Sequence, residues 1–295
     1  MVRKGIILAG GNGTRLFPSS ASTSKHLLPI YDKPMIYYSL STLMLANIKD
    51  ILIICNDRDL SIYKKLFIDT IDLGINFSFE VQSEPLGVAH ALIIAEKFIG
   101  NNFSCLILGD NFFYGHNLAQ KLKSISSCKE NTIIGYPVQN PSNFGVVEFD
   151  ENQNIVSLLE KPEKPISRYA ITGLYFLDHT APERAKSAPK SKRNEYEIVD
   201  VLQSYHSEGK LNLELMGRGD AWLDAGCHES LIDASLFVRS VEKRQGLKIG
   251  CPEEIAWRKK WISTKRLLEG SKNYSKSSYS NYLNALPNEQ IIGSI

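Results

Sequence analysis

Short apolar runs alternating with longer amphipathic segments fill the first half of the chain, and that alternation leaves few architectures open. Apolar runs at 5–9, 51–55, 77–82, 104–108 and 132–136 read as strands. Between them Ile36, Leu40, Leu43 and Met44 recur at helical spacing, as do Val88, Leu92, Phe98 and Ile99. The pattern predicts an α/β fold with a mostly parallel central sheet covered by helices. Open sheets of this kind bind ligands beyond the carboxyl ends of their strands. Two polar stretches fall there: the glycine loop after the first run, in "ILAGGNGTRLFP", and Gly109-Asp110-Asn111 after the fourth.

From about residue 144 the texture changes. "FGVVEFDENQNIVSLLEKP" reads as two strands joined by a polar turn at 150–154, an antiparallel excursion from the sheet. "YAITGLYFLD" reads as a further buried strand, and amphipathic helices are expected over 231–244 and 252–268, with Pro252 suited to a first turn. The Ser/Tyr/Lys-rich stretch "SKNYSKSSYSNY" is expected to be a loose surface tail. Residues 1–240 form the expected core and 241–295 a C-terminal helical region with that tail; no internal repeat is visible.

The glycine loop needs a ligand with negative charge. Gly10, Gly11 and Gly13 leave backbone N–H groups open to close approach, a nest for an anion. Both familiar phosphate fingerprints fail: no Gly-Lys pair completes a P-loop, and Leu16 stands where a dinucleotide loop has its last glycine. Arg15 and Lys25 beside the loop are either two solvated charges or a clamp for the β and γ phosphates of a nucleotide. Asp110 and Asp224 each end an apolar run, "CLILGD" and "AWLD". Such a pair suits Mg²⁺, which takes one or two carboxylates plus substrate phosphates; either residue alone is more commonly a cap. Glu160 and Lys161 offer a carboxylate for sugar hydroxyls and a cation for phosphate, or two exposed hairpin residues, and Arg193 lies in a basic run.

Charge and cysteine content narrow the partners. Lys plus Arg number 34 against 32 Asp plus Glu, so no broad basic field exists for nucleic acid or an anionic membrane. Five cysteines without a C-x-x-C pair argue against a disulfide framework or structural zinc and fit a reducing cytoplasm. No stretch approaches a membrane span. The six histidines lack metal-ligand spacing and no Gly-x-Ser-x-Gly elbow occurs.

"KGIILAGGNGTRLFP", "SKHLLPIYDKPMIYYSLSTLMLANIKDILII", "LGDNFFYGH", "FGVVEFD", "LEKP", "YAITGLYFLD", "GRGDAWLDAG" and "RQGLKIGCPEEIAWR" together resemble the glucose-1-phosphate thymidylyltransferases, sugar nucleotidyltransferases that begin dTDP-rhamnose and related pathways. The resemblance runs in one register from about residue 3 to about 283. It implies a Rossmann-like nucleotidyltransferase core with an antiparallel sugar-binding insertion. The implied reaction is attack of α-D-glucose 1-phosphate on the α-phosphorus of dTTP, aided by Mg²⁺, without a covalent enzyme intermediate. By the same resemblance Leu8, Gly10, Gly11 and Gly13 line the nucleotide, Gln82 and Gly87 meet thymine, and Arg15 and Lys25 bind the departing pyrophosphate. Asp110 and Asp224 hold the metal; Gly145, Glu160 and Ile171 meet the sugar; Lys161, Tyr175 and Arg193 grip its phosphate. Similar proteins are tetramers, dimers of dimers, with a regulatory nucleotide site; Tyr114, Gly115, His116, Glu254, Ile255 and Arg258 match its surroundings.

The chain departs from that pattern in "SEPLGVAHA", where Leu86 replaces an acidic residue and His90 a glutamine, and in Ala225-Gly226-Cys227, where threonines normally flank the glycine. Asn194 and Tyr196 also differ from the usual glycine and leucine. The same chemistry with another nucleotide or hexose 1-phosphate, or a non-catalytic nucleotide-sugar sensor, are the alternatives these changes leave open.

Overall fold

The computed structural model describes residues 3–11, 13–69 and 72–288. Its main sheet has nine strands, and four neighbours run parallel: Asn76–Val81, Asp50–Cys55, Arg3–Ala9 and Phe103–Leu108. Beyond Phe103–Leu108 the direction reverses. Tyr169–Leu177 pairs antiparallel with it, and with Gly145–Phe149 and Asn131–Pro137. Ile155–Glu160 closes one edge on Gly145–Phe149, and Leu211–Leu215 adds to Asn131–Pro137. The strands expected from the apolar runs all form, each within a residue or two of its expected ends.

The runs are apolar throughout because both faces of the sheet are covered. Side chains alternate across a strand, so Ile7 and Ile53 enter one buried cluster while Ile6, Leu52 and Ile54 enter the opposite one. The helix Ile36–Leu45 covers the first face through Ile36, Leu40, Leu43 and Met44, and Ile198–Ser207 covers the second through Val201 and Leu202. The hairpin turn between Gly145–Phe149 and Ile155–Glu160 closes on Asp150, whose Oδ1 accepts from the backbone N–H of Asn152 and Asn154 at 2.9 and 2.8 Å.

Two expectations at the C-terminal end are corrected. The segment 252–268 is two helices, Pro252–Arg258 and Thr264–Ser271, broken where Lys260 turns to φ 59° and Ser263 caps the second one. The Ser/Tyr-rich stretch is packed rather than loose, forming the helix Ser278–Ala285 with Ser277 as its cap. Leu283 and Tyr279 enter the first cluster. The Tyr279 hydroxyl donates to Glu253 Oε2 at 2.6 Å, Tyr274 donates to the other oxygen, and Tyr282 donates to Glu254 Oε2 at 2.6 Å. Polar composition misleads here because tyrosine buries a ring and satisfies its hydroxyl on a buried carboxylate. Residues 289–295 of the expected tail lie outside the described residues. Among the described residues no helix is long and apolar enough to cross a membrane.

Candidate active site

The glycine loop leaves Arg3–Ala9 at its carboxyl end, beside the end of Phe103–Leu108, and the Gly109 N–H donates to Leu8 C=O at 2.9 Å. Gly13 begins a short turn over Thr14–Leu16, and its carbonyl accepts from Ser20 Oγ at 2.7 Å. That turn sends Arg15 outward into a cleft of about 1040 Å³.

The two candidate metal carboxylates converge through an element the sequence did not announce. Asn111–Tyr114 and Ala221–Asp224 form a two-stranded antiparallel ribbon with Asp224 opposite Asn111, and Ala225 N–H donates to Asp110 C=O at 3.0 Å. Both carboxylates line the cleft. Asn111 fastens the ribbon: its Nδ2 donates to Asp110 Oδ1 at 3.0 Å, while its Oδ1 accepts from Gly173 N–H at 3.0 Å and Trp222 Nε1 at 2.6 Å. Gly226 follows, where a Cβ would lie 2.7 Å from Arg15 Nη2 and 2.8 Å from Asp224 Oδ1, so a larger residue would displace the ends of those two side chains.

Charge in this corner is unevenly shared. Lys25 Nζ pairs with Asp110 Oδ2. Burial works to raise the Asp110 carboxyl, but the Lys25 ammonium, His26 and the bonds from Lys25 and Asn111 outweigh it and hold Asp110 well below the usual range. Asp224 is pushed up to about 6 by burial and then by the neighbouring Asp110 charge. Its Oδ1 is buried and has no hydrogen-bond partner.

Beneath them His26 is buried, its Nδ1 bonded to Ser24 Oγ at 3.1 Å, which bonds Tyr63 OH at 2.8 Å. Burial and then the Lys25 charge lower its pKa from 6.5 to about 3. The unfolded chain therefore binds a proton that the folded one refuses as pH falls from 6.5 to about 3. Stability is expected to decline over that window by about 1.4 kcal/mol per pH unit on account of His26. Denaturant titrations of the wild type and His26→Gln at several pH values check this: the variant loses that slope, and parallel curves would refute it.

On the other side of Arg3–Ala9, Gln82 and Gly87 line the same cleft. Gln82 is only 4% exposed, with Nε2 at 3.2 Å from His90 Nδ1. Gly87 adopts φ +96°, and a Cβ on it would lie 2.5 Å from Tyr196 C=O, so only glycine permits this contact. Tyr196 N–H donates to Leu86 C=O at 2.8 Å, and Ala89 N–H donates to Tyr196 C=O at 3.1 Å.

The antiparallel half supplies the far wall. Gly145, Glu160, Lys161, Ile171, Tyr175 and Arg193 all line the cleft. Arg193 Nη2 lies between Glu197, at 2.9 Å from Oε1, and Glu160, at 3.3 Å from Oε1, with Lys161 Nζ 3.6 Å from Glu160. Burial, more than any neighbour, raises the Glu160 carboxyl, and burial likewise raises the Tyr175 hydroxyl.

Of the residues singled out in the sequence, Leu8, Gly11, Arg15, Gln82, Gly87, Asp110 and Asp224 thus share one cleft with the six of the far wall. Gly10, Gly13 and Lys25 do not line it: Gly10 packs against Gln82, Gly13 against Lys25 and Ser20, and Lys25 pairs with Asp110. A second cavity of about 650 Å³ is lined by Tyr114, Gly115, His116, Glu254 and Ile255. Arg258 does not line it but braces it, donating from Nε to Glu254 Oε1 at 2.8 Å. Trp222, Glu195 and Glu197 carry no local signal that sets them apart from ordinary strand and loop residues, and Asn111, legible only as part of a polar stretch, gives no hint of its fastening role.

The nucleotidyl transferase family matches residues 4–241. A glucose-1-phosphate thymidylyltransferase of Neisseria meningitidis serogroup A is 51% identical over 281 residues, covering 95% of this chain and 98% of its own. Another of Mycolicibacterium smegmatis is 50% identical over 280 residues, covering 95% and 97%. Among solved structures, a UDP-glucose pyrophosphorylase complexed with UDP-glucose superposes with a TM-score of 0.71 at 25% identity, over 83% of this chain and 100% of that one. A Bacillus anthracis protein described as a candidate glucose-1-phosphate thymidylyltransferase, in complex with a sucrose, gives 0.74 at 36% identity, over 81% and 96%. The chain belongs to the nucleotidyl transferase family and groups within it with the glucose-1-phosphate thymidylyltransferases.

Proposed function

We propose that this protein transfers a nucleotidyl group from dTTP to α-D-glucose 1-phosphate, releasing pyrophosphate. The observation that carries the reading is the convergence of Arg15, Asp110 and Asp224 with Glu160, Lys161 and Arg193 on one cleft. The names of the relatives point the same way. Two highly charged anions must be brought together, so positioning and charge compensation supply most of the catalysis.

In this reading the loop amides of Gly10, Gly11 and Gly13 receive the triphosphate, with Leu8 beneath it, and Arg15 neutralises charge gathering on the leaving pyrophosphate. Lys25, resting on Asp110, stands within reach to share in that task. Lys161 and Arg193 hold the sugar phosphate, and Glu160 accepts from sugar hydroxyls beside Gly145 and Ile171. An ionised oxygen of the sugar phosphate forms the new bond to the α-phosphorus as the bond to the β-phosphate oxygen breaks. The nucleophile is already ionised, so no general base is needed.

Asp110 and Asp224 suit Mg²⁺ on their own chemistry: an orphaned buried oxygen on Asp224, and an Asp224 carboxyl whose ionisation burial and the Asp110 charge oppose, both call for a divalent cation. Among the described residues no group of three or more His, Cys, Asp or Glu side chains could hold a metal, which fits a cation completed by substrate phosphates. When bound, Mg²⁺ would neutralise phosphate charge along the path of attack. The second cavity, between Tyr114 and Glu254, is the place where a regulatory nucleotide would bind.

Incubation with dTTP, glucose 1-phosphate and Mg²⁺ is expected to release pyrophosphate. Panels of nucleoside triphosphates and sugar phosphates test the choice of each partner, and silence with every pair overturns the reading.

A further inference from the structure

We propose that His90 is a positioning residue for nucleotide choice: its Nδ1 fixes which end of the Gln82 side-chain amide is turned toward the incoming base. This rests on the nucleotidyl transfer proposed above, with the base lying where the resemblance puts it, at Gln82 on the cleft wall.

A primary amide has a donor end and an acceptor end of nearly the same shape, so its orientation is set by what its neighbours offer. Gln82 is buried at the cleft wall, its Oε1 against Gly10, where a Cβ on that glycine would be 2.6 Å away. Its Nε2 faces His90 Nδ1 at 3.2 Å. The ring is held in turn. His90 opens the helix His90–Ile94 and stacks on Tyr196, with centroids 6.1 Å apart and an 18° interplanar angle. The Tyr196 backbone is tied on both sides to the loop carrying Gly87.

The consequence is chemical selection. Thymine and uracil present an N–H donor beside a carbonyl acceptor, whereas cytosine presents a lone pair beside an amino group. An amide fixed in one orientation pairs with the first pattern and opposes the second, and the same amide turned through 180° does the reverse. A neutral Nδ1 accepting from Nε2 holds one orientation. A protonated ring has only donors and attracts Oε1 instead, turning the amide over.

Burial first, and then the Lys190 ammonium, lower the His90 pKa, while Glu84 opposes them. Lys190 also sits 5.2 Å from the centre of the Tyr196 ring. Lys186, on the neighbouring helix Ala181–Ser187, is paired with Glu96 at 2.5 Å. The ring is therefore neutral at neutral pH, and in the tautomer that carries its proton on Nε2 its Nδ1 accepts from Gln82 Nε2.

Calorimetric titration with dTTP and dCTP, in the presence of Mg²⁺, tests this on the whole protein at pH 7.5. His90→Phe keeps an aromatic ring on Tyr196 but has no acceptor, and its preference for dTTP over dCTP should fall at least tenfold. His90→Asn places an amide oxygen near the position of Nδ1; it should keep the preference. Gln82→Ala should abolish the preference whatever occupies position 90. If Gln82→Ala abolishes it but His90→Phe retains it, the role of His90 is refuted and the base placement stands. If Gln82→Ala retains it, the base does not lie at Gln82 and both statements fall. Should His90→Phe not fold, His90→Ala decides alone, a preference retained in that variant counting against the proposal.

Discussion

Asp110→Asn is expected to lower pyrophosphate release about 10³-fold, close to 4 kcal/mol of transition-state stabilisation. The carboxylate stands at the end of Phe103–Leu108, fixed by Asn111 and facing Asp224 across the ribbon. In the proposed mechanism it has two duties, holding the cation and balancing Lys25. Lys25 is 13% exposed, and without its partner only the neighbouring Asp224 carboxyl is left to balance a nearly buried charge. Breaking such a pair from one side costs about 3–5 kcal/mol, so the variant should also unfold at clearly lower denaturant. Turnover assays and denaturant titrations on the same preparation separate the two losses. A folded Asp110→Asn protein with near-normal turnover would remove the carboxylate from the mechanism.

Arg15→Ala should lose about 10² in turnover, some 2.7 kcal/mol, from the leaving group alone. The contrast with Asp110 lies in exposure. Arg15 is solvent-facing on its short turn, so its removal should leave the unfolding midpoint where it was. The loss should appear in the chemical step, measured by single-turnover pyrophosphate release with saturating dTTP. If Arg15→Ala retains near-normal turnover, the leaving phosphates are held by other groups.

The sequence disclosed what local chemistry dictates. Gly10, Gly11 and Gly13 follow an apolar strand, and Asp110 and Asp224 end apolar runs, so each could be placed at a strand terminus from its neighbours alone. The sheet was legible for the same reason: strands such as Ile51–Ile54 are apolar on both faces because both faces are covered. What could not be read depends on contacts distant in sequence. The strand Asn111–Tyr114 is four residues long with no partner nearby in sequence, so the ribbon that unites the carboxylates had no local signature. Lys25 could be seen beside the loop but not its pairing with Asp110. Glu197 lies 37 positions from Glu160 and is joined to it by the Arg193 guanidinium. The C-terminal stretch was misjudged because its tyrosines look polar until Glu253 and Glu254 are found beneath them.

The reversal of strand direction at Phe103–Leu108 has a consequence for how such a chain can change. Residues assigned to the nucleotide hang from the parallel half and residues assigned to the sugar phosphate from the antiparallel half, with that single strand belonging to both. Donor and acceptor preference can thus drift separately in descent, or be traded between homologues as blocks. The seam is the contact of Leu86 and Ala89 with Tyr196, where the two halves share backbone hydrogen bonds. A chimera that exchanges one side of that seam without the other inherits a mismatched joint, so viable hybrids should carry both sides from one parent.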